Sequence, residues 1–210
     1  MIKRGLLVTM SEEYGVIRDG AIYIEGDRIK SIGPTSKIES EFRPEEVIDA
    51  KGMAVLPGLV NTHSHLYQSF LRGRADTIPL VEWCDQVLYP FCRMMVEEAI
   101  EGRDELAYYS ALLSCLEALK SGTTTIVGMD GVIQGSAIVR AMLDSGIRGI
   151  YALTFADRWI REDIILPSAW ALKRASFLIE NYRGADGRID FRVAPSTPFC
   201  CSRKLLEECK

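Results

Sequence analysis

The sequence predicts an α/β protein with a parallel sheet, preceded by a smaller all-β unit. In roughly the first 55 residues, short β-prone runs are separated by Asp-Gly and Gly-Asp turns, a pattern typical of hairpins. From Gly58 onward, short apolar strands alternate with segments rich in helix-forming residues. Such alternation is typical of parallel strands that are joined by helical crossovers.

In the N-terminal unit, residues 2–9 are predicted to form the first strand. Residues 21–24 and 28–32 form the arms of a hairpin around a Gly-Asp turn. Residues 34–45 are polar and are predicted to be a loop, and one more short β-prone run follows it.

In the C-terminal unit, we predict four strands, near residues 59–62, 124–128, 148–154 and 189–194. Leucines recur close to helical spacing in the segment 103–122, and Gly122 is placed to be the C-cap of that helix. Two further helical segments end in a glycine, and a last helix begins near residue 202.

Composition argues against several classes of partner and location. The 210 residues can bury a core in one or two domains, with 48% apolar and 26% charged residues. A net charge of −4 argues against a nucleic-acid or anionic-membrane surface, because those partners attract basic patches. No run of about 18 apolar residues and no signal-peptide pattern is seen. We therefore expect a cytoplasmic protein with reduced cysteines.

The chain contains only two histidines, His63 and His65, directly after the first apolar strand of the parallel sheet. Residues i and i+2 of a strand project from one face, and the carboxyl ends of parallel strands carry the chemistry of such folds. Two imidazoles in this arrangement can hold one divalent metal ion. The alternative is a solvated or hydrogen-bonded histidine pair. The preceding Pro-Gly turn and Asn61-Thr62 make the pattern narrower and favour the metal.

Four segments, taken in order, resemble the amidohydrolase superfamily, in the branch of cytosine, guanine and 8-oxoguanine deaminases and triazine hydrolases. They are "DGAIYIEGDRIKSIGP", "LPGLVNTHSHLYQSFLRG", "CLEALKSGTTTIVGM" and "VAPSTPFCCS". The resemblance implies a (β/α)8 TIM barrel with a small β-sandwich. Residues 1–55 would be the N-terminal part of the sandwich, and residues 56–210 the N-terminal half of the barrel, with about four of its strands.

The resemblance implies a metal-dependent hydrolase of a heterocycle that uses metal-activated water. The bond cleaved would be carbon–nitrogen, as in a deaminase of a purine-like or triazine ring, with a chlorohydrolase that cleaves a carbon–chlorine bond as the alternative. His63 and His65 match the first two metal ligands, with zinc expected and iron an alternative. The family's later-strand histidines, aspartate and acid–base residues have no counterpart here. We therefore expect a truncated chain that works as a homo-oligomer or with a complementing chain. The alternative is a non-catalytic half-barrel that binds a partner.

The resemblance also gives two candidate substrate-binding residues. Gln68 matches a glutamine that can hydrogen-bond a base, or it is a surface residue at a helix start. Trp83 resembles an aromatic over the pocket, or it packs in the core of a helix. Adenosine-type deaminases of the branch carry a glutamate shortly after a proline that resembles Pro90, where this chain has Phe91 and Cys92, and a histidine where this chain has Ser196. Both departures favour a free base or triazine ring over a nucleoside.

Asp130 and Asp157 follow the second and third strands of the predicted parallel sheet. Each is either a partner that orients a metal ligand or a cap of the following turn or helix. Neither Ser64 nor Ser196 has a histidine left to act as its base, so the sequence argues against a serine hydrolase.

Overall fold

The computed structural model describes residues 1–158 and 160–210, with the backbone alone for residue 163. Contacts between residues divide the chain into two compact units, Met1–Gly58 and Leu59–Lys210. Among the described helices, none is long and apolar enough to cross a lipid bilayer. All six cysteines are free thiols.

The first unit is a five-stranded sheet in which β2 pairs with β1 and β3 antiparallel, and β4 and β5 pair with β1 in parallel. Its strands are β1 (Ile2–Val8), β2 (Val16–Glu25), β3 (Arg28–Pro34), β4 (Ile48–Asp49) and β5 (Ala54–Val55). The predicted strand and hairpin arms therefore lie in β1, β2 and β3.

The predicted polar loop 34–45 is wrong for its first part, because the helix α1 (Thr35–Glu41) forms there. The burial of Ile38 explains why a helix forms here. This residue is the one large apolar side chain of this short helix, and it is fully buried against Met1 and Ala21. Burying one such side chain contributes about 1.5–3 kcal/mol, which outweighs the polar composition of the neighbouring residues.

The second unit contains a four-stranded sheet in the order β6-β7-β8-β9, with every neighbouring pair parallel. Its strands are β6 (Leu59–Ser64), β7 (Thr123–Gly131), β8 (Arg148–Phe155) and β9 (Ile189–Pro195). Its helices are α2 (Leu80–Trp83), α3 (Tyr89–Ile100), α4 (Glu105–Lys120), α5 (Gly135–Ser145), α6 (Ser168–Tyr182) and α7 (Arg203–Glu208). The four predicted strands are all present.

The core of this unit lies between the sheet and its covering helices. Ile126, Tyr151, Leu153 and Phe191 project from the strands into one apolar cluster with residues of α4, α5 and α6. Alternate strand residues therefore face the helices, which is the pattern of a parallel sheet covered by helical crossovers. Gly122 follows α4 with a φ of +87°, a conformation that glycine adopts without strain.

The two outer strands, β6 and β9, are edges of this sheet among the described residues. Large apolar side chains on both edges are exposed: Leu59 and Val60 on β6, and Val193 on β9. A long edge strand with exposed apolar side chains is a surface that readily pairs with another strand.

Candidate metal centre

The two histidines lie at the carboxyl end of β6, where the strand leads into a 3-10 helix, Leu66–Leu71. Their imidazole ring centres are 5.1 Å apart, and the ring planes are perpendicular. Two imidazoles bound to one tetrahedral zinc, with Zn–N distances of about 2.0 Å, hold their ring centres roughly 5 Å apart. Both side chains are exposed. The spacing therefore fits two ligands of a single ion.

One hydrogen bond fixes the orientation of the His65 ring. Its Nδ1 lies 2.7 Å from the carbonyl oxygen of Met129 on β7. A carbonyl oxygen only accepts, so Nδ1 carries the proton and donates it. The lone pair of the ring then lies on Nε2, which is the usual arrangement in a histidine that binds a metal through Nε2.

Hydroxyl groups of α4 hold the two residues that follow His65. The Oγ of Ser114 donates to the carbonyl oxygen of Leu66 at 2.9 Å, and the Oγ of Ser110 donates to that of Tyr67 at 2.6 Å. Leu66 and Ser110 are fully buried. The turn after the second histidine is therefore anchored to the helical layer through its carbonyl groups.

Asp130 follows Met129 on β7, and 0% of its surface is exposed. Neither carboxyl oxygen has a hydrogen-bond partner within the described part of the chain. Burial raises the pKa of Asp130 to about 8, while the backbone N–H groups of Tyr67 and Leu66 act in the opposite direction. Those N–H groups approach the carboxyl group without reaching ordinary hydrogen-bond geometry. Asp130 is therefore mainly protonated at neutral pH.

A cavity of roughly 970 Å³ lies at the carboxyl ends of the parallel strands. His65, Met129, Thr154 and Ser196 line it, each within two residues of the carboxyl end of one strand. Helices α2 and α3 supply much of the remaining, largely apolar wall. A volume of this size accommodates a small-molecule ligand.

Three thiols, those of Cys84, Cys92 and Cys200, also line the cavity. Burial raises the pKa of Cys92 to about 11, so its thiol stays protonated at neutral pH. The histidines are therefore better placed than Cys92 to offer a lone pair to a metal ion. Among the described residues, no group of three or more His, Cys, Asp or Glu side chains is arranged to hold one.

The structure brings Gln68 to His65 in this cavity and places Trp83 in a neighbouring groove. Gln68 lines the large cavity, and its Nε2 donates to the Tyr67 hydroxyl at 3.1 Å. Trp83 lies with His65 and Gln68 in a groove of roughly 550 Å³ beside α4. Its indole Nε1 donates to the carbonyl oxygen of Arg74 at 3.0 Å. The substrate-binding roles of both residues stay predictions.

Asp157, at the end of β8, has a structural role. Its carboxyl group accepts from the backbone N–H of Ser202 at 2.7 Å and from the Ser202 hydroxyl at 2.5 Å. Ser202 is the N-cap of α7, and its Oγ accepts from the N–H of Leu205. Of the two roles predicted for Asp157, these contacts support the capping role and not the role of orienting a metal ligand.

Sequence reasoning did not find Tyr67, Ser110 and Ser114, although all three lie in the turn after His65 or contact it. A signal for the serines was present. Ser110 and Ser114 recur four residues apart within an otherwise apolar face of α4. Polar groups in such a face usually have a buried hydrogen-bond partner, but the sequence does not tell which one.

Residues 54–210 match the sequence profile of the amidohydrolase family. The chain belongs to this family. The predicted superfamily is therefore confirmed, and the amidohydrolase match covers all of β6–β9 and both histidines.

Two relatives of this amidohydrolase chain are each named a 5-methylthioadenosine/S-adenosylhomocysteine deaminase. The protein from Pelotomaculum thermopropionicum is 35% identical over 214 residues, which is 99% of this chain and 45% of the relative. The protein from Bacillus cereus is 36% identical over 205 residues, which is 97% of this chain and 44% of the relative. The chain therefore spans less than half the length of the curated relatives it matches.

Solved structures agree with the predicted partial barrel. The atrazine chlorohydrolase of Arthrobacter aurescens, complexed with zinc, is 23% identical with a TM-score of 0.84, over 100% of this chain and 49% of that one. An adenosine deaminase from Xanthomonas campestris with bound zinc is 25% identical with a TM-score of 0.82, over 99% and 45%. Escherichia coli guanine deaminase is 22% identical with a TM-score of 0.82, over 98% and 48%. The predicted fold class is confirmed.

Proposed function

We propose that this chain forms the metal-holding half of an aminohydrolase that removes an amino group from a purine-like or triazine ring. One observation carries the proposal. The imidazoles of His63 and His65 are 5.1 Å apart at the carboxyl end of β6, beside a cavity that fits a small heterocycle. The names of the curated relatives, which are deaminases, support the reaction class.

A divalent metal fits the donors that this chain supplies. His65 presents Nε2 because Met129 occupies Nδ1, and His63 stands beside it at ligand spacing. Zinc in the two solved structures of similar fold favours zinc over iron. When bound, such an ion lowers the pKa of a coordinated water towards neutrality and so supplies the nucleophile for hydrolysis.

Gln68 and Trp83 would recognise the ring. The Nε2 of Gln68 is occupied by the Tyr67 hydroxyl, which leaves its carbonyl oxygen to accept a hydrogen bond from a ring N–H or amino group. Trp83 offers a flat apolar surface near His65 and Gln68, and its polar N–H is already satisfied by Arg74. A planar heterocycle packs well against such a surface.

The remaining metal ligands and the acid–base residues would lie outside these 210 residues. Exposed apolar side chains on the edge strands β6 and β9 support association with a second copy or with a complementing chain. A cytoplasmic location stays a prediction.

Metal content tests the first part of the proposal. We expect the 210-residue chain to retain close to one equivalent of zinc after gel filtration, and the His63→Ala/His65→Ala variant to retain none. A Cys84→Ser/Cys200→Ser variant is the matched control, because those thiols line the same cavity. Equal zinc in the wild-type chain and the histidine variant, or loss of zinc in the thiol variant alone, would contradict the assignment of His63 and His65.

Ammonia release tests the second part. The chain, combined with the C-terminal half of the Bacillus cereus relative, is assayed with purine bases, aminotriazines and adenine nucleosides. We expect zinc-dependent release from a base or triazine that is lost in the histidine variant. Activity on nucleosides alone would correct the substrate class.

A non-catalytic half-barrel is the second candidate. It is favoured by the finding that the described residues contain no group of three metal-binding side chains. Zinc binding without ammonia release from any completed assembly would support it.

A further inference from the structure

A buried carboxyl group faces the turn that carries His65, and the proposed function gives it no role. The turn's carbonyl groups at Leu66 and Tyr67 accept hydrogen bonds from Ser114 and Ser110 of α4. The backbone N–H groups of the same two residues lie near enough to Asp130 on β7 to lower the pKa of its carboxyl group. The backbone after His65 thus lies beside two serines and one aspartic acid.

Close packing keeps Asp130 against this turn. A Cβ atom added to Gly128 would lie 2.8 Å from the Oδ2 of Asp130 and 2.9 Å from the Cδ1 of Leu66. The two side chains therefore share the space over Gly128, and only a residue without a side chain leaves room for both. Asp130 is also directly joined to Met129, whose carbonyl oxygen holds the His65 ring.

We propose that Asp130 is a positioning residue for His65, whose buried carboxyl group packs against the Leu66–Tyr67 turn and keeps that turn, and with it the His65 ring, in place. The proposal deepens the proposed function and rests on His65 being a metal ligand.

A purely structural role explains Asp130 poorly. Both of its oxygens are buried without a hydrogen bond among the described residues, and burying a polar group in that way destabilises a fold. Asp157, which follows the neighbouring strand β8, is an aspartate with a structural role, and both of its oxygens accept close hydrogen bonds from Ser202. Unfavourable burial of this kind is retained mainly where a site needs it.

The first test follows the His65 ring without any metal. In ¹⁵N-labelled chain at pH 7.5, we expect long-range nitrogen–proton spectra to show His65 with its proton on Nδ1. The Asp130→Ala variant should show a mixture of tautomers, and Asp130→Asn should resemble the wild-type chain, because Asn keeps an oxygen and a donor in the same place. A folded Asp130→Ala chain in which His65 stays in the Nδ1–H form would overturn the proposal.

The second test measures zinc affinity by competition with a chromophoric chelator. We expect Asp130→Ala to bind zinc about 10- to 100-fold more weakly, the range found when groups that orient a ligand are removed. Asp130→Asn should stay within about threefold of the wild-type chain, which is well below that range. Asp157→Ala is the matched control and should leave the affinity unchanged. Loss of zinc in Asp130→Asn equal to that in Asp130→Ala would show that the carboxylate itself is a ligand, and would also overturn the proposal.

Failure of a variant to fold and failure of the metal site can each be distinguished from failure of the proposal. If Asp130→Ala does not fold, Ser114→Ala is used instead, because it removes a hydrogen bond to the same backbone. An unchanged His65 tautomer and zinc affinity in that variant would count against the proposal.

If the wild-type chain binds no more zinc than His63→Ala/His65→Ala, the proposed metal site fails, while the tautomer spectra still decide whether Asp130 positions the ring.

Discussion

At the scale of residues, the candidate site depends on a few polar groups whose surroundings differ sharply. His63 and His65 are exposed, whereas Asp130, only one residue beyond the hydrogen-bond partner of His65, is fully buried. The sequence predicted the histidines as a pair because their spacing alone places them on one face of a strand. It left two roles open for Asp130 and for Asp157, because a single aspartate after a strand has the same local pattern whether it faces a ligand or caps a helix.

The burial of Asp130 predicts how stability depends on pH. Its folded pKa of about 8 lies above the value of about 3.9 for an unfolded aspartate, so the folded state binds more protons between those values. The stabilising contribution of the protonated form is complete below about pH 4 and is lost as pH rises through 8. From pH 5.5 to 7.5 we expect the free energy of unfolding to fall by up to about 2–3 kcal/mol from this group.

Urea unfolding at the two pH values checks this, with Asp130→Asn as the variant that cannot titrate. As the pH rises, the variant should become increasingly more stable than the wild-type chain, because the two chains share all other titrating groups. A constant difference would mean that the carboxyl group has a normal pKa.

At the scale of elements, the strands of the parallel sheet were predictable and the short helices less so. The run predicted near 124–128 became β7, Thr123–Gly131, because β-branched residues and flanking glycines mark a strand locally. The helix α1 was missed, since one isoleucine gives no periodic pattern and its burial depends on distant residues. The π-helical stretch Cys84–Leu88 before α3 is explained by Pro90, which has no N–H to offer the carbonyl of residue 86.

Packing between the strands of the first unit makes one glycine necessary. A Cβ atom at Gly20 would lie 2.3 Å from the Cγ of Leu7, which is buried, whereas one at Gly33 would meet Ile38 at an ordinary 3.6 Å. We expect Gly20→Ala to destabilise this unit by about 1–3 kcal/mol, the usual range for overpacking a core. Gly33→Ala, on the neighbouring strand, should change stability by less than about 0.5 kcal/mol.

Thermal and urea unfolding of both variants measure this difference. Equal midpoints for Gly20→Ala and Gly33→Ala would show that Leu7 moves aside freely.

At the scale of the whole molecule, the parallel sheet of the second unit has two edges with exposed apolar side chains. Val60, on β6, is 60% exposed, and Val193 is exposed on β9. Strands with such surfaces tend to pair with other chains, and a charged residue on an edge opposes that pairing. This is the surface on which the proposed association with a second copy or a complementing chain depends.

A charge on β6 should therefore weaken self-association. We expect the wild-type chain to elute as an oligomer in size-exclusion chromatography with light scattering, and Val60→Lys to shift it towards the monomer. Val16→Lys is the matched control, because Val16 on β2 is 61% exposed and lies in the other unit. A monomeric wild-type chain would refute self-association, and binding of a relative's C-terminal half to that monomer would then favour a complementing chain.

The sequence by itself determined the family, the parallel strands and the paired histidines, because strand periodicity and short motifs are local properties of the chain. Only the tertiary structure decided what surrounds them. The hydrogen bond from His65 to Met129, the serines of α4 under Leu66 and Tyr67, and the sealed carboxyl group of Asp130 join residues that are far apart in the chain. Burial and hydrogen-bond geometry arise from that packing, and no local pattern contains them.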